Sequence, residues 1–127
     1  MHWHILGAGA IGLLWAAKLT RAGHSTTLLL RNADKLAHYQ RHGHICLEQD
    51  NRRFECSPAA ELSSGDSAAS HPIEHLLITT KAYAVVDAFN ALQHRLSAHA
   101  SILLLHNGLG PQQQLAAQYP QLNLWAG

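Results

Sequence analysis

The chain has 127 residues, room for one domain with its own core, and only 13% of them are charged, about half the usual share. Its net charge is +1 and no run of Lys or Arg gathers into a patch, which argues against nucleic acid as a partner. No apolar run approaches the roughly 18 to 20 residues of a membrane span, and the first strand begins at His2 with no basic leader or signal peptide, so a cytoplasmic protein with no membrane contact is expected.

His2 to Leu6 reads as a short buried strand. Gly7-Ala8-Gly9-Ala10-Ile11-Gly12 follows, a G-x-G-x-x-G loop. From about Ala10 to Arg21 a helix runs on, with Leu13, Leu14, Ala16, Ala17 and Leu19 as its apolar face. A strand, a glycine-rich turn and a helix in that order form the setting in which this motif binds a dinucleotide. The first glycine permits the tight turn, the second lets a pyrophosphate approach the backbone, and the third lets helix and strand pack closely. The amides at the helix start, with the positive end of its dipole, then face the phosphates. Gly7, Ala8, Gly9, Ala10, Ile11 and Gly12 are therefore candidate cofactor-binding residues, a purely structural glycine turn being the alternative.

Gly23 suits the left-handed position that closes the helix. Strand two is Thr26 to Leu30, and Arg31 follows it. NAD enzymes place an acid roughly 20 residues after the glycine loop, on the ribose 2′-hydroxyl. The planar fork of Arg31 at that place suits a 2′-phosphate instead, so the expected cofactor is NADP(H). Asn32 caps a short helix from Ala33 to about Arg41, with Asp34 in its first turn. His38 and His42 lie four apart on it and read as an exposed face, since no third ligand accompanies them; no metal is expected. His44 to Gln49 and Arg53 to Ser57 read as a β-hairpin around Asp50-Asn51-Arg52, and a turn centred on Asn51 sets Cys46 opposite Cys56. Two cysteines in a chain of this size read as reduced thiols, not as a disulfide framework. Pro58 to Pro72, rich in Ser and Ala, reads as a mobile connector.

His75 to Thr80 reads as a buried strand of the parallel type, ending at Lys81. Val85, Val86, Phe89, Leu92 and Leu96 recur at helical spacing and predict a helix from Ala82 to about Ala98. Ser101 to Leu105 is the next buried strand, ending in His106-Asn107-Gly108-Leu109-Gly110. Pro111 suits the first turn of a helix to about Gln118, and Leu122 to Ala126 begins a further strand. The alternation predicts an α/β fold, a Rossmann-type, right-handed, doubly wound parallel sheet. With the hairpin left out and His75 to Thr80 counted third, the expected order is 3-2-1-4-5. Gly7, Arg31, Lys81 and Asn107 then stand at C-terminal strand ends, the edge where such sheets bind ligands. A lysine ammonium and an amide there can orient a ribose and a carboxylate or carbonyl. A solvated strand-end cation and an Asn-Gly turn are the plainer readings of Lys81 and Asn107.

Three segments together resemble ketopantoate reductase (2-dehydropantoate 2-reductase): ILGAGAIG near the N-terminus, LLITTKAY around Lys81 and ILLLHNGLG around Asn107. Their order and spacing match, and the resemblance covers nearly the whole chain. It implies NADPH-dependent reduction of the ketone of 2-dehydropantoate to pantoate, for pantothenate and coenzyme A synthesis. It further implies that Gly7 to Gly12 hold the pyrophosphate and Arg31 the 2′-phosphate, with Lys81 and Asn107 near the nicotinamide and Asn107 also touching substrate. The family's general-acid lysine and a substrate-binding glutamate belong to a C-terminal helical domain, and this chain stops in its fifth expected strand. Residues 1–127 are thus expected to be an NADP-binding domain without catalytic residues, inactive alone, its last strand open to self-association. Three rival readings remain. One is another Rossmann oxidoreductase acting on a hydroxy acid or imine. Another is a non-catalytic NADP-binding module that senses redox state or recruits a partner. The third is a methyltransferase, against which Arg31 argues.

Overall fold

The computed structural model describes residues 2–7, 9–30, 32–42, 45–62, 72–79, 87, 89, 90, 93–105 and 123–126. Strand β1 (His2–Leu6) leads through the glycine loop into helix α1 (Ala10–Arg21). Strand β2 (Ser25–Leu30) and helix α2 (Ala33–His42) follow. Strands β3 (Ile45–Gln49) and β4 (Arg52–Cys56) form a separate antiparallel hairpin. Strands β5 (Ala59–Leu62), β6 (Ile73–Ile78), β7 (Leu96–Leu104) and β8 (Asn123–Ala126) join β1 and β2 in a six-stranded sheet. Its order is β5-β2-β1-β6-β7-β8 and every neighbouring pair is parallel. The expected α/β doubly wound architecture is thus observed.

Two expectations about that sheet are corrected. Ala59–Leu62 is a strand, not part of a connector, and it takes the outer place beside β2. The strand around His75, expected third and beyond β2, lies instead against β1. With the hairpin left out, the order is 3-2-1-4-5-6. The cause of both errors is β5 itself: four residues, AAEL, only partly buried at a sheet margin, carry almost no apolar pattern. The remainder of the expected connector before Pro72, residues 63–71, lies outside the described residues.

Alternate residues along each strand feed two cores, which is why the strands read as unbroken apolar runs. Ile5, Leu28, Leu30 and Leu77 face one side, with Ala16 and Ala17 of α1 and with Ile45 and Cys56 of the hairpin. Leu6, Leu29, Leu76, Ile78, Ile102 and Leu104 face the other, around the fully buried Phe89. Phe89 is helical, as are Asp87 and Asn90, within the helix expected over Ala82 to Ala98. That helix does not reach Ala98: Gln93–Arg95 is a single 3₁₀ turn, and Leu96 already opens β7 opposite Ile73. Leu96 packs on the same core from a strand, so its apolar character was compatible with either element. Arg95 is buried there, its guanidinium paired with the Glu61 carboxylate and donating to the Leu62 carbonyl at 3.2 Å.

The close of α1 and the start of α2 follow what their sequences dictate. The Gly23 N–H donates to Thr20 O and the His24 N–H to Leu19 O, each at 3.0 Å, with Gly23 at φ +96°. This pair of bonds satisfies the last carbonyls of α1 and needs a residue that tolerates positive φ. At the start of α2, Asn32 Oδ1 accepts from the Lys35 N–H at 2.8 Å. Its residue Tyr39 donates to Pro58 O at 2.7 Å and so ties α2 to the entrance of β5.

The hairpin has a different register from the one expected. Asp50 and Asn51 both take positive φ, +53° and +62°, which makes a two-residue turn whose twist matches that of the strands. Ile45 is therefore opposite Cys56, and Cys46 opposite Glu55. A slip of one residue moves a side chain to the other face. Cys46 is exposed, with Arg53 Nε donating to its Sγ at 3.1 Å, whereas Cys56 is buried; both are free thiols. Burial pushes the Cys56 thiol above its ordinary range, against a smaller opposing effect of a hydrogen bond with Thr20. Brief alkylation of the native protein at neutral pH, read by peptide mass spectrometry, should label Cys46 well before Cys56. A Cys46–Cys56 cross-linked peptide after mild oxidation would contradict this register.

Candidate functional site

The glycine loop does three different jobs with three glycines. Gly7 has φ +114°, a conformation that glycine alone adopts without strain, and its N–H donates to Leu29 O at 3.3 Å. Gly9 caps α1 in an extended conformation, φ −75° and ψ −175°, with no side-chain cap bond and no acid in the first helical turn. Among the described residues, a Cβ added at Gly9 would meet nothing within 4 Å. At Gly12 it would lie 2.2 Å from the Gly7 carbonyl oxygen and 2.8 Å from Thr79 Oγ1. Gly12 thus lets the first turn of α1 press against the end of β1, while open space fronts Gly9.

The first intrahelical bond of α1 runs from the Leu13 N–H to Gly9 O at 3.0 Å. The amides of Ala10, Ile11 and Gly12 therefore have no partner within the helix, and they carry the positive end of its dipole. Lys18 and Arg21 stand in the last turn, where cations complement the opposite end. Ile11 is 53% exposed, so its side chain borders the open side of the loop, away from the core. Backbone donors, a dipole and open space together make a receptor for an anion such as a diphosphate.

The strand order sets this receptor at the point where the chain reverses direction across the sheet. From β1 the chain winds outward to β2 and β5, then returns to β6 on the other side of β1. The crevice between the ends of β1 and β6 is where such sheets take their ligands. The Thr79 N–H donates to Leu6 O at 3.0 Å and the Leu105 N–H to Ile78 O at 2.9 Å, so the C-terminal ends of β1, β6 and β7 form one edge. Because β6 adjoins β1, the position just after it is nearer the loop than the expected order implied. Ala8, Arg31, Lys81 and Asn107 lie outside the described residues, as does the helix expected from Pro111 to Gln118. The strands they follow, or precede, all end on this edge.

Thr79 was not among the expected site residues. Its hydroxyl donates toward Leu6 O at 3.3 Å and Gly7 O at 3.4 Å. In sequence it is one β-branched residue at a strand end. Only the pairing of β6 with β1 gives it significance.

Comparison with known proteins gives a consistent picture. The profile of the family described as ketopantoate reductase PanE/ApbA matches residues 3–127. The chain is 33% identical over 119 residues to the 2-dehydropantoate 2-reductase of Salmonella typhi, covering 93% of this chain and 36% of that protein. It thus spans about a third of the length of the curated relatives it matches. Among solved structures, the PanE/ApbA family ketopantoate reductase from Ralstonia eutropha JMP134 superposes with a TM-score of 0.77 at 25% identity, over 99% of this chain and 40% of that one. D-mandelate dehydrogenase, solved with NADH and anilino(oxo)acetate, superposes with a TM-score of 0.82 at 22% identity, over 100% of this chain and 40% of that one. At that identity it shares the fold.

Gly9 and Gly12 should respond differently to alanine. Gly12→Ala forces a methyl into the Gly7 carbonyl and should lower stability by at least roughly 1–3 kcal/mol, the range for overpacking. Gly9→Ala meets open space at an ordinary φ and should leave stability within about 0.5 kcal/mol. Urea denaturation followed by circular dichroism measures both. Equal losses would show that the close contact at Gly12 does not govern this junction.

Proposed function

This chain belongs to the ketopantoate reductase PanE/ApbA family, and from that premise we propose that residues 1–127 are the NADP-binding Rossmann domain of a 2-dehydropantoate 2-reductase. The observation that carries the reading is the Gly7–Gly12 loop at the β1/β6 crevice, with helix-start amides that have no partner within the helix and, among the described residues, open space at Gly9. In this reading Gly7, Ala8, Gly9, Ala10, Ile11 and Gly12 hold the pyrophosphate. Arg31 grips the 2′-phosphate and so selects NADP(H) over NAD(H). Lys81 and Asn107 orient the nicotinamide end, and Asn107 also binds substrate. The solved relative that carries NADH supports a nicotinamide dinucleotide as the ligand class; the preference for the phosphorylated form rests on Arg31.

When bound, the reduced nicotinamide supplies the hydride that converts the ketone of 2-dehydropantoate to the alcohol of pantoate. The work of these 127 residues is to bind and orient. Hydride transfer leaves negative charge on the ketone oxygen, which needs a proton donor in a site closed to water. We assign that donor, and the surface that closes over the substrate, to the part of the longer relatives that these residues do not span. A cytoplasmic setting fits this role and the two free thiols. Taken alone, these residues should also self-associate along β8, which stands at the sheet margin.

Calorimetric titration tests the cofactor assignment. NADPH should bind more tightly than NADH. Arg31→Ala should weaken NADPH by roughly 1.5–3 kcal/mol, the scale of a hydrogen bond to a charged group, and leave NADH nearly unchanged. Equal losses for the two cofactors would remove Arg31 from the 2′-phosphate. Residues 1–127 alone should bind NADPH yet oxidise none of it in the presence of 2-dehydropantoate; turnover above the buffer blank would overturn the division of labour.

A further inference from the structure

We infer that Thr79 is a positioning residue for the dinucleotide: its hydroxyl holds the Gly7 carbonyl and so keeps the glycine loop in its binding shape. The inference rests on the dinucleotide-binding reading above, and it concerns a residue that acts through Gly7 without being asked to touch the ligand.

Three elements meet at this hydroxyl. It lies 3.4 Å from Gly7 O and 3.3 Å from Leu6 O, at the end of β1. It also lies 2.8 Å from where a Cβ on Gly12 would sit, in the first turn of α1. The third element is β6, whose Ile78 precedes it. The ladder between β1 and β6 does not need the side chain, because the Thr79 backbone N–H already donates to Leu6 O at 3.0 Å. The hydroxyl is therefore a second link, made at the position where the backbone leaves the strand.

That position has a particular weakness. Gly7 has no side chain to restrain it, and glycine gives the backbone its greatest freedom. At φ +114° it turns the chain out of β1, and its carbonyl is the group against which Gly12 packs. A small rotation of the Gly7 peptide would either press its oxygen into Gly12 or swing the following loop out of register with the helix-start amides. Packing alone blocks the first motion. The donor on Thr79 opposes the second. Since one hydroxyl proton is shared between two carbonyls at long distances, the restraint is real but modest.

Valine is the informative replacement, since it keeps the branched shape and loses the donor. Thr79→Val should weaken NADPH binding about three- to tenfold, what one net hydrogen bond supplies. Thr79→Ser keeps the hydroxyl and should bind within about twofold of the unsubstituted chain. Hydrogen–deuterium exchange of the ligand-free proteins supplies a reading that does not depend on binding. Peptides covering the loop, residues 5–14, should exchange faster in Thr79→Val and at the original rate in Thr79→Ser. The inference is overturned if Thr79→Val matches the unsubstituted chain in either measurement, or if serine fails to restore both. If the unsubstituted chain binds no dinucleotide, the functional reading and Thr79's role toward a ligand fall together. Unchanged exchange and affinity in Thr79→Val, with NADPH still bound by the unsubstituted chain, removes Thr79 alone.

Discussion

The contact between Gly12 and the carbonyl of Gly7 is the constraint on which the rest of this molecule depends. The first turn of α1 can approach the end of β1 only where no Cβ intervenes, since one would sit 2.2 Å from the Gly7 oxygen. That approach aims the start of the helix along the strand edge. It also brings Ala16 and Ala17, one turn further on, flat against Ile5, Leu28 and Leu30. Small residues on that helix face continue what Gly12 begins. The site and one of the two cores thus follow from the same missing side chain.

Parallel pairing then turns a local junction into an edge. Parallel strands all end on the same side of the sheet, so whatever follows each strand is delivered to one rim. Thr79 reaches the Gly7 carbonyl because β6 adjoins β1 with His4, Ile5 and Leu6 opposite Leu76, Leu77 and Ile78. Had the strand around His75 lain beyond β2, as its sequence position suggested, β2 would separate the same residue from the loop. Strand order here is part of the chemistry.

Much of this was legible in the sequence. The glycine loop, α1 with its closure at Gly23, the cap at Asn32 and the hairpin all announce themselves through residues with few conformational choices. The features that escaped are those whose residues carry no such restriction. β5 is short and marginal, with small alanines and a glutamate beside a single large apolar residue. Leu96 satisfies its burial equally from a helix or a strand. The hairpin register turned on whether the turn takes two residues or three, and Asn51 is compatible with both. Thr79 is one β-branched residue among several, and only a neighbour in space gives its hydroxyl a task. Arg31, Lys81 and Asn107 read in the sequence as strand-end residues from the alternation of elements, and the roles proposed for them rest on the resemblance to the family, not on contacts.

The division of each strand between two cores has an effect along the chain. Leu28 and Leu30 pack with α1 and the hairpin, whereas Leu29 between them packs with Phe89. Adjacent residues therefore belong to different layers, and both layers meet the glycine loop, one through α1 and the other through Leu6 and through Leu29, whose carbonyl accepts from the Gly7 N–H. Residues that vary together in this protein should thus be those two apart along a strand, and the loop, where both layers meet, should answer to both sets.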